Sequence, residues 1–435
     1  MADGNIRLDT IFQNLASGDE GRVCKDIPES ACREEPRNFV THVVSLALTK
    51  SADGFVDPKL VLSWLFATLG VPAYLIGFLV PIREAGALLP QLFTAGAIRR
   101  LPVRKYVWAA GSLLQGLASL GIAIAALAFE GAQAGWIILA CLAVLAVARS
   151  ACSVAYKDVL GKTVSKSRRG SSTGLAGSLS ATAVILFALL LVSGWVERFD
   201  LVVAGLLLAG AFWIASAGLF VTLREHEGAV EGGANAFTVA IGHLSLLMSD
   251  RQLQVFILSR ALLTATALAP PFMIAASTAG EGGVFQGLGF LVLASSGAAL
   301  VSSYVWGRLA DSSSRKVLAL AGLLGGVALF GTAFARLAGL LTGDLLLPLL
   351  LFALMIGYQG VRLGRSTHLV DMGDEDTRAA YTALSNTTIG VVLLAGGGFS
   401  ALAAFAGETA NLMVMGGFCL AGGLVALLLD EVQAE

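Results

Sequence analysis

The residues that could do chemistry in this chain are ionisable side chains set in hydrocarbon-rich sequence. Lys50, Asp53 and Asp57 stand at i, i+3 and i+7, so on a helix they share one face. Lys59 follows Pro58, and a proline that bends or opens a helix frees a carbonyl for a cation or polar ligand. Arg83 and Glu84 are adjacent, about 100° apart on a helix, and cannot both serve one face. Arg149, Arg260, Arg362 and Arg365 come later, in equally apolar surroundings. An ionisable residue at mid-membrane costs several kcal/mol unless it is paired or hydrated, which makes each a site candidate.

Roles follow from side-chain chemistry. Glu84 is the expected proton carrier, because burial and a neighbouring arginine act on a carboxyl group in opposite senses. Arg149 is expected to pair with Glu84, Asp53 or Asp57, since a planar guanidinium suits a carboxylate. Tyr358 and Gln359 lie one turn before Arg362, and Asn386 belongs to the polar cluster Ser385 to Thr388. The arginines of the second half lack acids in the corresponding runs: Ala269 stands where Asp57 would, and Ser295-Ser296 fall near Arg83-Glu84. That asymmetry points to an anionic ligand touching the second half. Each of these residues also has a plainer reading, as an ion pair or hydrogen bond joining two helices. His368, Asp158 and Asp371 are read as structural groups near helix ends, the two acids pairing with Arg169 or Arg378.

The elements that must position these residues are membrane helices. The chain has 435 residues, 56% hydrophobic and only 14% charged, with mean hydropathy +0.79. A soluble surface needs roughly a quarter charged residues. Spanning a bilayer takes about 20 apolar residues per helix. Such runs fall at 39–68, 74–98, 106–130, 135–160, 171–195, 201–224, 253–277, 283–309, 316–338, 344–371, 379–406 and 409–430. The expectation is an all-α membrane protein with twelve transmembrane helices in two six-helix pseudo-symmetric bundles. Glycine-rich stretches such as Gly322-Gly325-Gly326 and Gly396-Gly397-Gly398 are expected at helix contacts. Residues 1–38 read as a cytosolic segment, with an interfacial helix over Ile11 to Leu15. The bundles read as 39–224 and 253–432, and 225–252 as a linker with an amphipathic part over 236–248.

An internal repeat supports the two bundles. Gly77-Phe78-Leu79-Val80 returns as Gly289-Phe290-Leu291-Val292, Pro58 as Pro270, and Arg104-Lys105 with Gly111 as Arg315-Lys316 with Gly322. Arg149 and Asp158 return as Arg362 and Asp371. Duplicated bundles of like orientation are a transporter architecture. One set of short loops holds Arg99, Arg100, Arg104, Lys105, Lys162, Arg168, Arg169, Arg308, Arg315, Lys316 and Arg378, while the other set holds Arg198 and Arg336. By the positive-inside rule both termini are expected in the cytoplasm. Compactness and short loops suggest a bacterial inner membrane.

Other classes find no support. A net charge of -1 invites no nucleic acid. Five scattered cysteines predict no disulfide framework, and no metal-spaced cluster, phosphate loop or nucleophile elbow is present. No enzyme activity, cofactor or metal is expected.

The loop Gly307-Arg308-Leu309-Ala310-Asp311-Ser312-Ser313-Ser314-Arg315-Lys316 resembles the G-x-L-x-D-R-x-G-R-K signature of the major facilitator superfamily, at Gly307, Leu309, Asp311, Arg315 and Lys316. The glycine is expected to allow close helix approach, the carboxylate to sit at a helix end, and the cations to bind carboxylates or lipid phosphate. The first-half copy keeps Gly96 and Arg104-Lys105 but has Arg100 at the carboxylate position. Leu145-Ala146-Val147-Ala148-Arg149 resembles the family's fourth-helix arginine motif, and the fifth run lacks the drug-antiporter element. The resemblance implies a monomeric secondary transporter moving a small solute by alternating access, with protons and membrane lipids as further partners. The residues add an anionic or zwitterionic substrate. The alternative is a transporter-derived assembly factor, sensor or scaffold; lipid or pigment handling fits the charged runs less well.

Overall fold

Proline, glycine and charge decide where the apolar runs depart from straight helices. The computed structural model describes residues 29–228, 244–278, 287–341, 345–372 and 378–433, and every regular element among them is helical. The expected helices at 11–15 and 236–241 lie outside the described residues.

Helix α1 (Glu29–Phe55) starts ten residues ahead of its apolar run. The extra turns are held by polar contacts, not by hydrocarbon. Glu35 accepts from the backbone N and Oγ of Ser165 at 2.8 and 2.6 Å and pairs with Arg168 at 3.3 Å. Asn38 and the backbone of Arg224 exchange two hydrogen bonds of 3.0 Å. The expected boundary at residue 38 is therefore interior to a helix. Cys32, in the same turns, is disulfide-bonded, against the expectation of free thiols; Cys141, Cys152 and Cys419 are free.

Helix α1 stops at Phe55 because Pro58 has no N–H and pushes Asp57 out of the helical region. Helix α2 (Val61–Thr68) resumes the run. The corresponding run of the second half is also interrupted: α10 (Arg251–Leu263) and α11 (Ala265–Leu268) part at Thr264, and α12 (Pro270–Thr278) begins at its proline. Between these lie α3 (Ala73–Ile76), α4 (Leu79–Arg99), α5 (Lys105–Ala128), α6 (Gly131–Thr163), α7 (Lys166–Ser193), α8 (Arg198–Val221) and, in the linker, α9 (Leu244–Ser249). The remainder are α13 (Leu288–Ser312), α14 (Ser314–Leu337), α15 (Leu346–Met372), α16 (Arg378–Ala395) and α17 (Gly398–Ala426). Inside α17, Gly407 has φ 82°, a value L side chains rarely adopt, and separates the last two apolar runs.

Among the described residues nine helices are long and apolar enough to cross a bilayer, and the chain is an integral membrane protein. The first run falls short because Lys50, Asp53, Asp57 and Lys59 interrupt it. The apolar parts of α13 and α16 are shorter, Leu288–Ser302 and Ala380–Ala395.

Packing repeats between the halves of the chain. Helix α5 packs on α6 and α8, and α14 packs on α15 and α17. Glycine permits both contacts. A Cβ on Gly116 would lie 2.8 Å from the carbonyl oxygen of Gly210, and one on Gly322 would lie 2.6 Å from that of Cys419. Across the halves, α7 meets α13, α4 meets α16, and α3 meets α17. A Cβ on Gly289 would sit 2.7 Å from the backbone N of Val192, and one on Gly390 would sit 2.4 Å from Cδ2 of Leu89. Gly307 is different: a Cβ there meets nothing within 4 Å, so close helix approach is not the reason for this glycine. Gly322→Val should lower the melting temperature of the purified protein through overpacking of about 1–3 kcal/mol, whereas Gly307→Ala should leave it within a degree or so of wild type; thermal unfolding in detergent measures both.

Candidate functional site

Charged side chains from both halves converge beside the Pro58 break. Asp53, in the last turns of α1, is the hub. Its Oδ1 accepts from Arg83 of α4 at 2.7 Å, and its Oδ2 accepts from Arg149 of α6. Of the three acids open to Arg149 in the sequence, the structure selects Asp53. The reason is helix geometry: α4 and α6 pack on each other, which brings both guanidinium groups to the same level of α1. One carboxylate thus serves two cations.

Asp57 does something else. Its place on the Lys50–Asp53 face required a helix continuous to residue 57, and α1 ends at Phe55. Released from that register, its Oδ1 accepts the backbone N–H groups of Lys59 and Leu60, both at 2.9 Å, and so holds the turn that leads into α2. Two backbone donors thus engage this carboxylate oxygen.

Lys59 bridges the halves. It lies 3.6 Å from Glu84 and 3.9 Å above the ring centroid of Tyr358 on α15, an ion pair on one side and a cation–π contact on the other. Glu84 feels the charges of Lys59 and Arg83 and, from the second half, of Arg365 and Arg362. Arg362 and Arg365 follow Tyr358 at i+4 and i+7, on the same helical face. The charges of Arg149 and Arg362 both bear on Lys50, whose Nζ bonds the carbonyl of Thr173 at 3.3 Å.

The second-half arginines are short of acids. Arg260 is 6% exposed and donates to Ser385 Oγ at 2.6 Å and to Asn386 Oδ1 at 3.0 Å. The charge that bears on it is another cation, Arg365. Arg362 is exposed and Arg365 half-buried, and neither makes an ion pair or hydrogen bond among the described residues. Gln359 is half-buried and likewise makes no hydrogen bond there. Thr387 and Thr388 bond back to the carbonyls of Ala383 and Leu384 and serve only their own helix.

A cavity of about 240 Å³ opens beside Asp53, lined by Lys50, Gln115, Arg149, Tyr156, Lys157 and Thr173 among others. Tyr156 and Lys157 were not expected there. The signal was available, since Arg149, Ser153 and Tyr156 stand at i, i+4 and i+7 on α6. Tyr156 carries no charge to draw attention in a hydrophobic run.

The loop motif lies apart from this cluster, at the Lys- and Arg-rich end. Ser313 caps α14 by accepting from Lys316 N. Arg315 pairs with Glu431 at 3.0 Å and bonds the carbonyl of Leu429. Ser314 Oγ bonds His368 Nδ1 and Gln433, and Gln433 donates to Asp371. The side chain of Asp311 lies outside the described residues. In the first half Asp158 pairs with Arg104 and with Lys162, not with Arg169 as expected, because Arg169 is turned onto the carbonyls of Val164 and Gly161.

No family model matches the sequence, and no curated protein matches it either. Solved structures do. A POT family transporter in complex with a thioalcohol-conjugated peptide superposes with a TM-score of 0.70 over 94% of this chain and 99% of that one, at 12% identity. A POT family transporter in complex with 5-aminolevulinic acid gives 0.69, at 12% identity over 90% and 96%. The nucleoside transporter NupG gives 0.63, at 12% identity over 90% and 98%. The chain therefore has the fold of these solved transporters.

Removal of the hub carboxylate is the direct test of this geometry. Asp53→Asn leaves two guanidinium groups without an acid and should destabilise the protein by about 1–3 kcal/mol, less than a fully buried pair because the Arg149 side chain is 38% exposed. Arg83→Gln in the Asp53→Asn background should recover part of the loss. Equal and additive losses in a double-mutant cycle would show that the pair is not coupled.

Proposed function

We propose that the chain is a secondary active transporter that moves a small anionic or zwitterionic solute by alternating access, coupled to protons. The observation that carries this reading is the meeting of the two sequence halves in charge: Lys59 lies over Tyr358, and Glu84 lies in the field of Arg362 and Arg365. In this reading residues 39–224 and 253–432 form two six-helix bundles that rock about a site at mid-depth, with 225–252 joining them. The cross-half glycine contacts at Gly289 and Gly390 favour a conformation closed on the side away from the basic loops. With the Lys- and Arg-rich loops in the cytoplasm, that is an inward-facing state with both chain ends inside, in the inner membrane of a bacterium, as a monomer among lipids.

Small-molecule binding is in keeping with the fold, since its solved examples are complexes with a peptide conjugate, with 5-aminolevulinic acid and with sulfate. For coupling, Glu84 is the best-placed carboxylate. Asp53 is doubly engaged and Asp57 holds backbone N–H groups, while Glu84 has one lysine partner at 3.6 Å that is also tied to the opposite half. Movement of α15 would draw Lys59 toward or away from Glu84, and the carboxylate would take up or release a proton accordingly.

Counterflow in proteoliposomes with a labelled panel of dipeptides, 5-aminolevulinic acid, nucleosides and dicarboxylates identifies a substrate. Its accumulation should follow an imposed pH gradient. Glu84→Gln should abolish gradient-driven accumulation and retain exchange. Accumulation in Glu84→Gln equal to wild type rejects Glu84 as the coupling group, and flux indifferent to the gradient rejects proton coupling.

A further inference from the structure

Two stripes of side chains face each other across the halves. On α1 and its break the stripe runs Lys50, Asp53, Lys59; on α15 it runs Tyr358, Arg362, Arg365. Their deep ends touch, Lys59 over Tyr358 at 3.9 Å. Toward the basic-loop end cations predominate: Arg362 and Arg149 both act on Lys50, against the single acid Asp53.

The acids do not balance these charges. Asp53 is shared by Arg83 and Arg149, and Glu84 takes Lys59. Lys50, Arg260, Arg362 and Arg365 make no ion pair among the described residues; Asp53 acts on Lys50, and Glu84 on Arg362 and Arg365, only from beyond salt-bridge distance. Arg260 compensates with a hydroxyl and an amide oxygen, which carry no charge. Lys50 compensates with one carbonyl. Arg362 is exposed, and in the transport reading that exposure is to a water-filled chamber on the basic-loop side. Closing the chamber on the basic-loop side removes that water and brings α15 toward α1. Like charges then approach in a medium of lower dielectric, which opposes closure.

We infer that the substrate carries at least two negative charges and bridges Lys50 and Arg149 of the first half to Arg362 and Arg365 of the second, and that only such a bridge lets the chamber close. This rests on the transport reading and narrows its substrate class to small dianions or phosphorylated solutes. A monoanion or zwitterion leaves the cations unbalanced. Planar guanidinium forks present paired donors to each carboxylate or phosphate group, which gives orientation as well as charge. The carrier without a dianion stays open to the basic-loop side.

Thermal unfolding of the purified full chain tests this. Sulfate, malonate and succinate are titrated against chloride and acetate at one ionic strength. The expected result is a saturable rise in Tm with at least one dianion and none with the monoanions. Arg362→Gln and Arg365→Gln should each weaken the apparent affinity at least about tenfold. Arg362→Lys should restore part of it, and Arg198→Gln, at the far end of the molecule, should change nothing. Monoanions that stabilise as well as dianions overturn the inference, as does dianion stabilisation untouched by Arg362→Gln and Arg365→Gln, or no response to any dianion at millimolar concentration. A transported solute of one charge or none would also overturn it while leaving the transport proposal standing. Dianion binding without flux in proteoliposomes would do the reverse.

Discussion

A carboxylate shared by two guanidinium groups is the interaction on which the rest of the molecule turns. Asp53 holds Arg83 and Arg149, and through them α1, α4 and α6, in one arrangement. Hydrocarbon offers no other partner for these charges, so the helices must stay where the charges meet. Each further charge is placed relative to that hub. Lys59 reaches Glu84 on one side and the Tyr358 ring on the other, and thereby measures the distance between the two halves. The balance of acids and cations is uneven, with the ion pairs gathered in the first half.

Breaks in the helices make this arrangement possible. Pro58 ends α1 just beyond Asp53, and the freed backbone is held by Asp57. Pro270 begins α12 in the equivalent run of the second half, but no acid stands beside it, because Ala269 occupies the place of Asp57. Both halves of the chain thus carry an interrupted helix, and only the first carries an acid beside its proline. Each half also ties its basic loop to a glutamate beyond its last apolar run. Lys162 and the N–H groups of Arg104 and Lys105 hold Glu225, and Arg315 holds Glu431.

Much of this was legible in the sequence, and the illegible part has a common cause. Apolar runs, the proline breaks, the repeat and the shortage of acids in the second half all follow from composition and spacing along one helix. Which acid Arg149 would choose does not, because Asp53, Asp57 and Glu84 differ only in how neighbouring helices approach. Asp57 was misplaced for a local reason: periodicity was carried two residues past the point where Pro58 stops the helix. The packing role expected of both Gly307 and Gly322 holds only for Gly322, because a motif alone does not say whether its glycine faces a neighbour. The Lys59–Tyr358 contact pairs residues from opposite halves, and no spacing rule reaches that far.

The polar extension of α1 bears on how the chain is made. Asn38 is held by the backbone at Arg224, 186 residues later, and Glu35 by Ser165, 130 residues later. Asp53 meets Arg83 after 30 residues and Arg149 only after 96. Synthesis at about 5–20 residues per second puts roughly ten seconds or more between translation of the first helix and that of its last clamp. During that interval the ribosome has released a segment too charged to rest stably among acyl chains. The insertion machinery must therefore shelter the charge of the opening helix until Arg149 emerges in the fourth apolar run, and the order of the charges along the gene sets how long that shelter is needed.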